Sequence, residues 1–229
     1  MRRFGLAGYP VRHSLSPELF REAYDGKYPY DLIETSDFDE AWERFLDGYE
    51  AINVTMPFKT LAADRAAMLA EQAGKPYLIG PEVRATGAAN ILVKTPEGIV
   101  ARNSDYLGVR KILSRIMDDW DSPAEVKIAV IGTGGAGRAA EAAAFDCGAV
   151  VSTYHHNEIS QGVRADIIIY TLPENVEGTD RLECRYLLEA NYKNPCLTGH
   201  RNYIPGTEWL KAQAECGYEL MTGEFAKSK

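Results

Sequence analysis

Long apolar runs are missing from this 229-residue chain. None approaches the roughly 20 residues that a membrane-crossing helix needs. The amino terminus, MRRFGLAGYP, carries two arginines with no sustained apolar region behind them, so neither a transmembrane helix nor a secretory leader is expected and a cytoplasmic location is. Cysteine is scarce. Cys147, Cys184, Cys196 and Cys216 stand apart with no C-x-x-C pair, which argues against a zinc ribbon or a disulfide framework and leaves buried or inert thiols; no metal site is expected. Positive charge is in the minority, with 25 Lys+Arg against 33 Asp+Glu and a formal net charge of -8. Neither nucleic acid nor an anionic membrane surface is therefore an expected partner, although a local positive pocket for an acidic small molecule is compatible with that balance. Internal repeats and low-complexity segments are also absent.

What is present is ordinary globular material, 45% hydrophobic and 25% charged, enough for one large or two small domains. RRFGLAGYP reads as a short strand ending at a Gly/Pro turn, and SPELFREAY follows with Ser16 and Pro17 where an N-cap and first helical residue belong. YDLIE reads as a strand. Phe38, Ala41, Trp42, Phe45 and Leu46 then share one helical face, capped by Ser36 or Asp37. AINV gives another strand, followed by a helix with Pro57 in its first turn that runs through alanine-rich sequence to Gly74. ILVK and IVARN, separated by TPEG, predict a hairpin that sets Asn90 and Asn103 side by side at its open end.

A second unit opens with VKIAVIGTGGAGRAAEAAAFDCG, which has the strand, glycine turn and helix order of a dinucleotide-binding unit. Gly132, Gly134, Gly135, Ala136 and Gly137 would let the helix aim its free N–H groups at a pyrophosphate. VVSTY and ADIIIYTLP supply further strands. The expected fold class is α/β, an N-terminal substrate domain (1–104) followed by a Rossmann-like nucleotide domain (105–205) and a segment (206–229) returning to the first. A boundary in the polar stretch 118–125 is the alternative. About 20 residues beyond the glycine turn, such a domain usually offers an acidic residue for the ribose or an arginine for a 2'-phosphate. This chain has Tyr154, His155, His156 and Asn157, which leaves NADP and NAD both open, and two solvated loop histidines are an equal reading.

Ser14, Ser16, Thr55, Lys59, Asn90 and Asp105 each have a structural explanation when taken singly. Together they fall at strand or hairpin ends, where open α/β sheets collect ligands. Lys59 can exchange a proton with a secondary alcohol and hold developing negative charge on its oxygen, and Asp105 can orient the lysine and the substrate.

The segments GYPVRHSLSP, INVTMPFK, GAANILV, RNSDYLGV and IGTGGAGRAA resemble, in order and spacing, the signature segments of shikimate dehydrogenases. NYIPGTEWLKAQAECGYELMTG does so more faintly. The resemblance implies reversible reduction of 3-dehydroshikimate to shikimate with NADPH, a step of chorismate and aromatic amino acid biosynthesis, by a monomer or homodimer. It makes Lys59 and Asp105 the catalytic pair and assigns Ser14 and Ser16 to the substrate carboxylate. Thr55 and Asn90 go to the ring hydroxyls, Tyr203 to the same ligand, and Gly223 joins the glycine turn as cofactor-binding. The family's Asn-Arg-Thr segment reads Tyr154, His155, His156 here, and its Asn-Ala-Thr-Pro reads Tyr170 to Pro173. A shortened nucleotide domain is therefore expected, and so is the lack of a closing helix with its substrate-binding glutamine. A shikimate-like ligand-binding protein without efficient cofactor use is the alternative function.

Overall fold

The computed structural model describes residues 1–118 and 125–226. They form two compact units: residues 1–104 with 214–229, and residues 105–213. The chain thus rejoins the first unit at Ala214, inside a helix, and residues 206–213 lie in the second unit. The alternative boundary at 118–125 lies largely outside the described residues.

The first unit runs β1 (Phe4–Gly8), α1 (Ser16–Ala23), β2 (Tyr30–Glu34), α2 (Phe38–Gly48), β3 (Ala51–Val54), α3 (Lys59–Gln72), α4 (Pro81–Thr86), β4 (Ile91–Thr95) and β5 (Gly98–Arg102). Its sheet has the order β2-β1-β3-β4-β5, with the first three strands parallel and the hairpin antiparallel. Side chains alternate across a strand, so Ile52 and Val54 join a core with Trp42, Phe45 and Phe58. Ala51 joins an aromatic core with Phe4, Phe20, Tyr24 and Tyr218. The α2 helix is capped by Asp37, whose carboxylate accepts from the Asp39 and Glu40 N–H groups; Leu46, expected on its buried face, is 43% exposed.

Two predicted helix starts shift. Leu15, not Ser16, is the N-cap of α1, so Pro17 falls at its second position. The α3 helix begins at Lys59 behind an N-cap at Phe58, which leaves Pro57 outside it in a cis Met56–Pro57 turn. The first shift starts α1 one residue earlier and the second starts α3 later, so Ser16 and Lys59 become the first residues of these helices while Ser14 and Thr55 stay in the loops after β1 and β3.

The second unit contains α5 (Ser104–Asp118, whose first residue closes the first unit), β6 (Lys127–Ile131), α6 (Gly135–Asp146), β7 (Val150–Tyr154), β8 (Val163–Arg164), β9 (Ile167–Tyr170), β10 (Leu182–Glu183), β11 (Tyr186–Glu189), β12 (Tyr203–Ile204) and the first half of α7 (Gly206–Thr222), which passes into the first unit at Ala214. Its main sheet is parallel in the order β12-β11-β9-β6-β7. One face packs against α5, α6 and the first half of α7, through Val109, Leu113, Ala140 and Trp209. The other face, built on Ile131, Ile168 and Tyr170, is covered by Ile159, Val163 and the chain around Leu182 and Leu197. Among the described residues no α-helix contributes to that second core. Residues 155–166 return from β7 to β9 without a helix, and β7 is the last strand of the sheet, which is the shortening the sequence predicts.

No helix among the described residues is long and apolar enough to cross a membrane. The cysteines are free and half-buried rather than fully buried. Burial pushes the Cys184 thiol up to about 11. Burial, with the Glu189 carboxylate alongside, pushes Cys196 up to about 12, so both stay protonated and unreactive at neutral pH.

Candidate functional site

In the first unit the loops after β1 and β3 are laced together at the carboxyl ends of the parallel strands. Thr55 N–H donates to the Ala7 carbonyl at 2.9 Å and Tyr9 N–H to the Met56 carbonyl at 3.0 Å. Gly8 permits this approach, since a Cβ there would lie 2.4 Å from Thr55 Cγ2. Glu34, at the end of β2, accepts from the Val11 and Arg12 N–H groups at 3.1 and 2.9 Å and from the Arg12 guanidinium at 2.6 Å. Desolvation alone would raise the Glu34 carboxyl, but those donors outweigh it and hold the group below its usual range. The turn closes through Ser14 N–H on the Val11 carbonyl at 2.9 Å. Ser14 Oγ then accepts from Ser16 N–H at 3.2 Å and donates to Ser16 Oγ at 3.1 Å.

The backbone also brings Thr55, Lys59 and Asn90 together. Phe58 N–H donates to the Thr55 carbonyl at 2.9 Å, Ala89 N–H to the Lys59 carbonyl at 2.9 Å, and Val54 N–H to the Asn90 carbonyl at 2.8 Å. Asn90 is buried, whereas Ser14, Ser16, Thr55 and Lys59 are half-exposed. As the hairpin reading predicts, Ile91 faces Arg102 across the antiparallel pair, and Asn90 N–H bonds the Arg102 carbonyl at 3.1 Å. Asn90 has a structural task too: its Oδ1 accepts from Ser104 N–H at 2.7 Å and its Nδ2 donates to Ser104 Oγ at 3.1 Å. It thereby fixes the first turn of α5, on which Asp105 is the second residue. In the second unit, Trp209 Nε1 donates to the Asp105 carbonyl at 3.2 Å.

Sequence reasoning assigned no role to the buried Glu82 and left Asn103 as a hairpin end. Glu82 pairs with Arg102 at 2.5 Å and accepts from Asn103 N–H at 3.2 Å. Asn103 Nδ2 reaches Thr86 Oγ1 and the Ala88 carbonyl. A charged residue in the short helix PEVRAT gives no hint of burial in sequence, because its partner lies 20 residues on.

In the second unit the glycines divide by task. Gly132 has φ +107, and a Cβ there would lie 2.3 Å from Thr171 Oγ1. A Cβ on Gly137 would sit 1.9 Å from the Gly132 carbonyl oxygen, so these two close the turn against α6. Gly134 and Gly135 would meet nothing within 4 Å. Gly134 caps α6 with no side-chain hydrogen bond, leaving the first N–H groups, including that of Ala136, for an approaching anion. This arrangement fits a dinucleotide phosphate. Past β7, His155 and His156 are exposed, with His155 Nδ1 3.3 Å from Thr133 Oγ1 in the glycine turn. Tyr203, expected at the substrate, donates its hydroxyl to Glu189 at 2.6 Å. Glu189 is a fully buried carboxylate that also accepts from the Cys196 and Leu197 N–H groups. Burial, then the hydrogen bond to Glu189, pushes the Tyr203 phenol up. Gly223, expected at the cofactor, follows α7 at φ +68 with its N–H on the Glu219 carbonyl, a left-handed helix end that explains the glycine without a ligand.

Residues 6–76 match the model of the shikimate dehydrogenase substrate binding domain. The chain is 36% identical over 157 residues to the NADP(+) shikimate dehydrogenase of Acidiphilium cryptum, an alignment covering 66% of this chain and 52% of that protein. It is 32% identical over 152 residues to the one from Dinoroseobacter shibae, covering 63% and 51%. The chain thus spans about half the length of the curated relatives it matches. Among solved structures, shikimate 5-dehydrogenase from Thermus thermophilus, in complex with NADP(H) and shikimate, superposes with a TM-score of 0.80 at 20% identity over 99% of this chain and 95% of that one. A chorismate mutase/shikimate 5-dehydrogenase fusion protein from Clostridium acetobutylicum gives a TM-score of 0.79 at 22% identity, covering 99% and 93%. Both likenesses establish the α/β fold.

Proposed function

We propose that this chain, whose residues 6–76 match the shikimate dehydrogenase substrate binding domain, catalyses the reversible reduction of 3-dehydroshikimate to shikimate with NADPH, NAD(H) being a second candidate cofactor. One observation carries the reading: three backbone hydrogen bonds gather Thr55, Lys59 and Asn90 at the carboxyl ends of the strands, where open α/β sheets bind ligands.

In this reading Ser14 and Ser16 donate to the substrate carboxylate while Thr55 and Asn90 hold ring hydroxyls. The Lys59 ammonium donates a proton to the carbonyl oxygen as that oxygen gains charge, and recovers it in the oxidative direction. Asp105 orients Lys59 and the reacting oxygen. Tyr203 takes a substrate-side place, with Glu189 fixing its ring. The nicotinamide, when bound, supplies or accepts the hydride. Gly132, Gly134, Gly135, Ala136 and Gly137 would hold its pyrophosphate, and Gly223 stands as a further cofactor contact.

The test is purified protein with shikimate and NADP(+), then NAD(+), followed by the absorbance of reduced nicotinamide. Turnover with NADP(+) is expected, falling by about 10²–10⁴ in kcat for Lys59→Ala. If shikimate alone raises the melting temperature and neither nucleotide is reduced, the chain is a ligand-binding protein instead.

A further inference from the structure

The end of β7 holds a carboxylate that its position in the sequence does not announce. Gly132 N–H donates to the Tyr154 carbonyl at 2.8 Å, which sets the last residue of β7 beside the glycine turn. His155 Nδ1 lies 3.3 Å from Thr133 Oγ1 in that turn. The chain then folds back: Glu158 N–H donates to the His155 carbonyl at 3.1 Å, and His155 N–H donates to Glu158 Oε2 at 2.6 Å. Glu158 is four residues past the strand, yet its carboxylate is held at the strand's end, one hydrogen bond from a residue whose ring meets the glycine turn. This is the side of a dinucleotide-binding unit on which the adenosine ribose is read.

The chemistry of that carboxylate is selective. Glu158 is exposed, and Oε2 is the oxygen engaged by the turn, which leaves Oε1 to an incoming donor. A ribose with a free 2'-hydroxyl donates to such an oxygen in a charge-assisted bond. A 2'-phosphate brings negative charge and no donor in its place. Nothing in the same stretch offsets the repulsion, because Glu158 is the only Asp, Glu, Lys or Arg among residues 150–158 and a histidine carries no permanent charge.

We propose that Glu158 is a specificity-determining residue of the cofactor site: its carboxylate accepts a hydrogen bond from the free 2'-hydroxyl of the adenosine ribose and repels a 2'-phosphate, which admits NAD(H) beside NADPH. The proposal rests on the dinucleotide reading of the glycine turn and not on the identity of the substrate.

The experiment is calorimetric titration of the full chain, without shikimate, with ADP-ribose and with its 2'-phosphate. Glu158→Gln removes the charge and keeps an oxygen for the His155 N–H, so the turn survives. The variant should bind ADP-ribose about five- to tenfold more weakly, the difference between a hydrogen bond to a charged and to a neutral acceptor, and its 2'-phosphate more tightly. The ratio of the two dissociation constants should therefore move about tenfold or more toward the phosphate. Added salt should narrow the gap between parent and variant for the 2'-phosphate, since repulsion at an exposed site is screened, an effect that a merely structural turn would not produce. A ratio that moves by less than about twofold overturns the proposal, and so does a parent chain that binds neither probe. A ratio that moves as expected in a protein that does not oxidise shikimate supports the proposal and overturns the shikimate reading.

Discussion

In the proposed reading the two units solve the same problem, holding a ligand at the carboxyl ends of parallel strands, by opposite means. In the first, candidate side chains and the loops that carry them are anchored: Ser14 to Ser16, Asn90 to Ser104, and the loops to each other and to Glu34. In the second, the glycine turn is tight at Gly132 and Gly137 and empty of neighbours at Gly134 and Gly135. A small, densely functional ligand is read by side chains whose spacing must be fixed. A phosphate is read by backbone N–H groups, and what it needs is room. The second unit has no helix between β7 and β9, while its glycine turn is closed at Gly132 and Gly137.

Alanine at Gly137 and at Gly134 separates tightness from room and should give the largest contrast. Gly137→Ala puts a methyl 1.9 Å from backbone. The helix propensity gained, up to about 1 kcal/mol, cannot offset that overlap, so a net loss of about 1–3 kcal/mol in denaturant unfolding is expected together with loss of dinucleotide binding. Gly134→Ala should stay within about 0.5 kcal/mol in stability and still weaken dinucleotide binding, because its methyl occupies the approach path. Equal stability losses for the two would dissolve the division of tasks.

A stability loss of similar size, but without loss of dinucleotide binding, is expected where the first unit is anchored. Asn90→Ala leaves the buried Ser104 N–H without its acceptor, which should cost about 1–3 kcal/mol, read by chemical denaturation, and shikimate affinity should fall with it. Unchanged stability would mean that the start of α5 does not depend on the hairpin. The smallest effect concerns pH. Glu34 is held below its usual range in the folded chain, so the unfolded chain takes up the proton first. Its contribution is complete above the ordinary carboxylate pKa of about 4.3 and is lost as pH falls through the lower folded value. Melting curves on acidification should therefore drop less for Glu34→Gln than for the parent chain.

The fold was largely legible because its strands and helices are local patterns: AINV, YDLIE and the alanine-rich helix after Lys59 each declare their period. The helix starts were misplaced where tertiary contacts set the loop. Pro57 reads as a helix opener, yet the turn it occupies is drawn back over β1 by the Tyr9–Met56 bond. Ser14, Thr55, Lys59 and Asn90 were legible as residues at element ends. Glu82, Glu189, Tyr30 and Asn53 were not, because a buried polar group is explained only by a partner distant in sequence: Tyr203 for Glu189, Asn53 for Tyr30.

The sequence by itself determined the order of elements, the glycine turn and the polar residues at strand ends, since each depends on neighbours within a few positions. The tertiary structure alone decided which of those residues are tied to one another, that α7 returns Tyr218 to Ser16, and that a sheet face of the second unit is covered without a helix. Those outcomes depend on burial, where an unpartnered hydrogen-bonding group is costly, and only the folded chain shows which partner meets that demand.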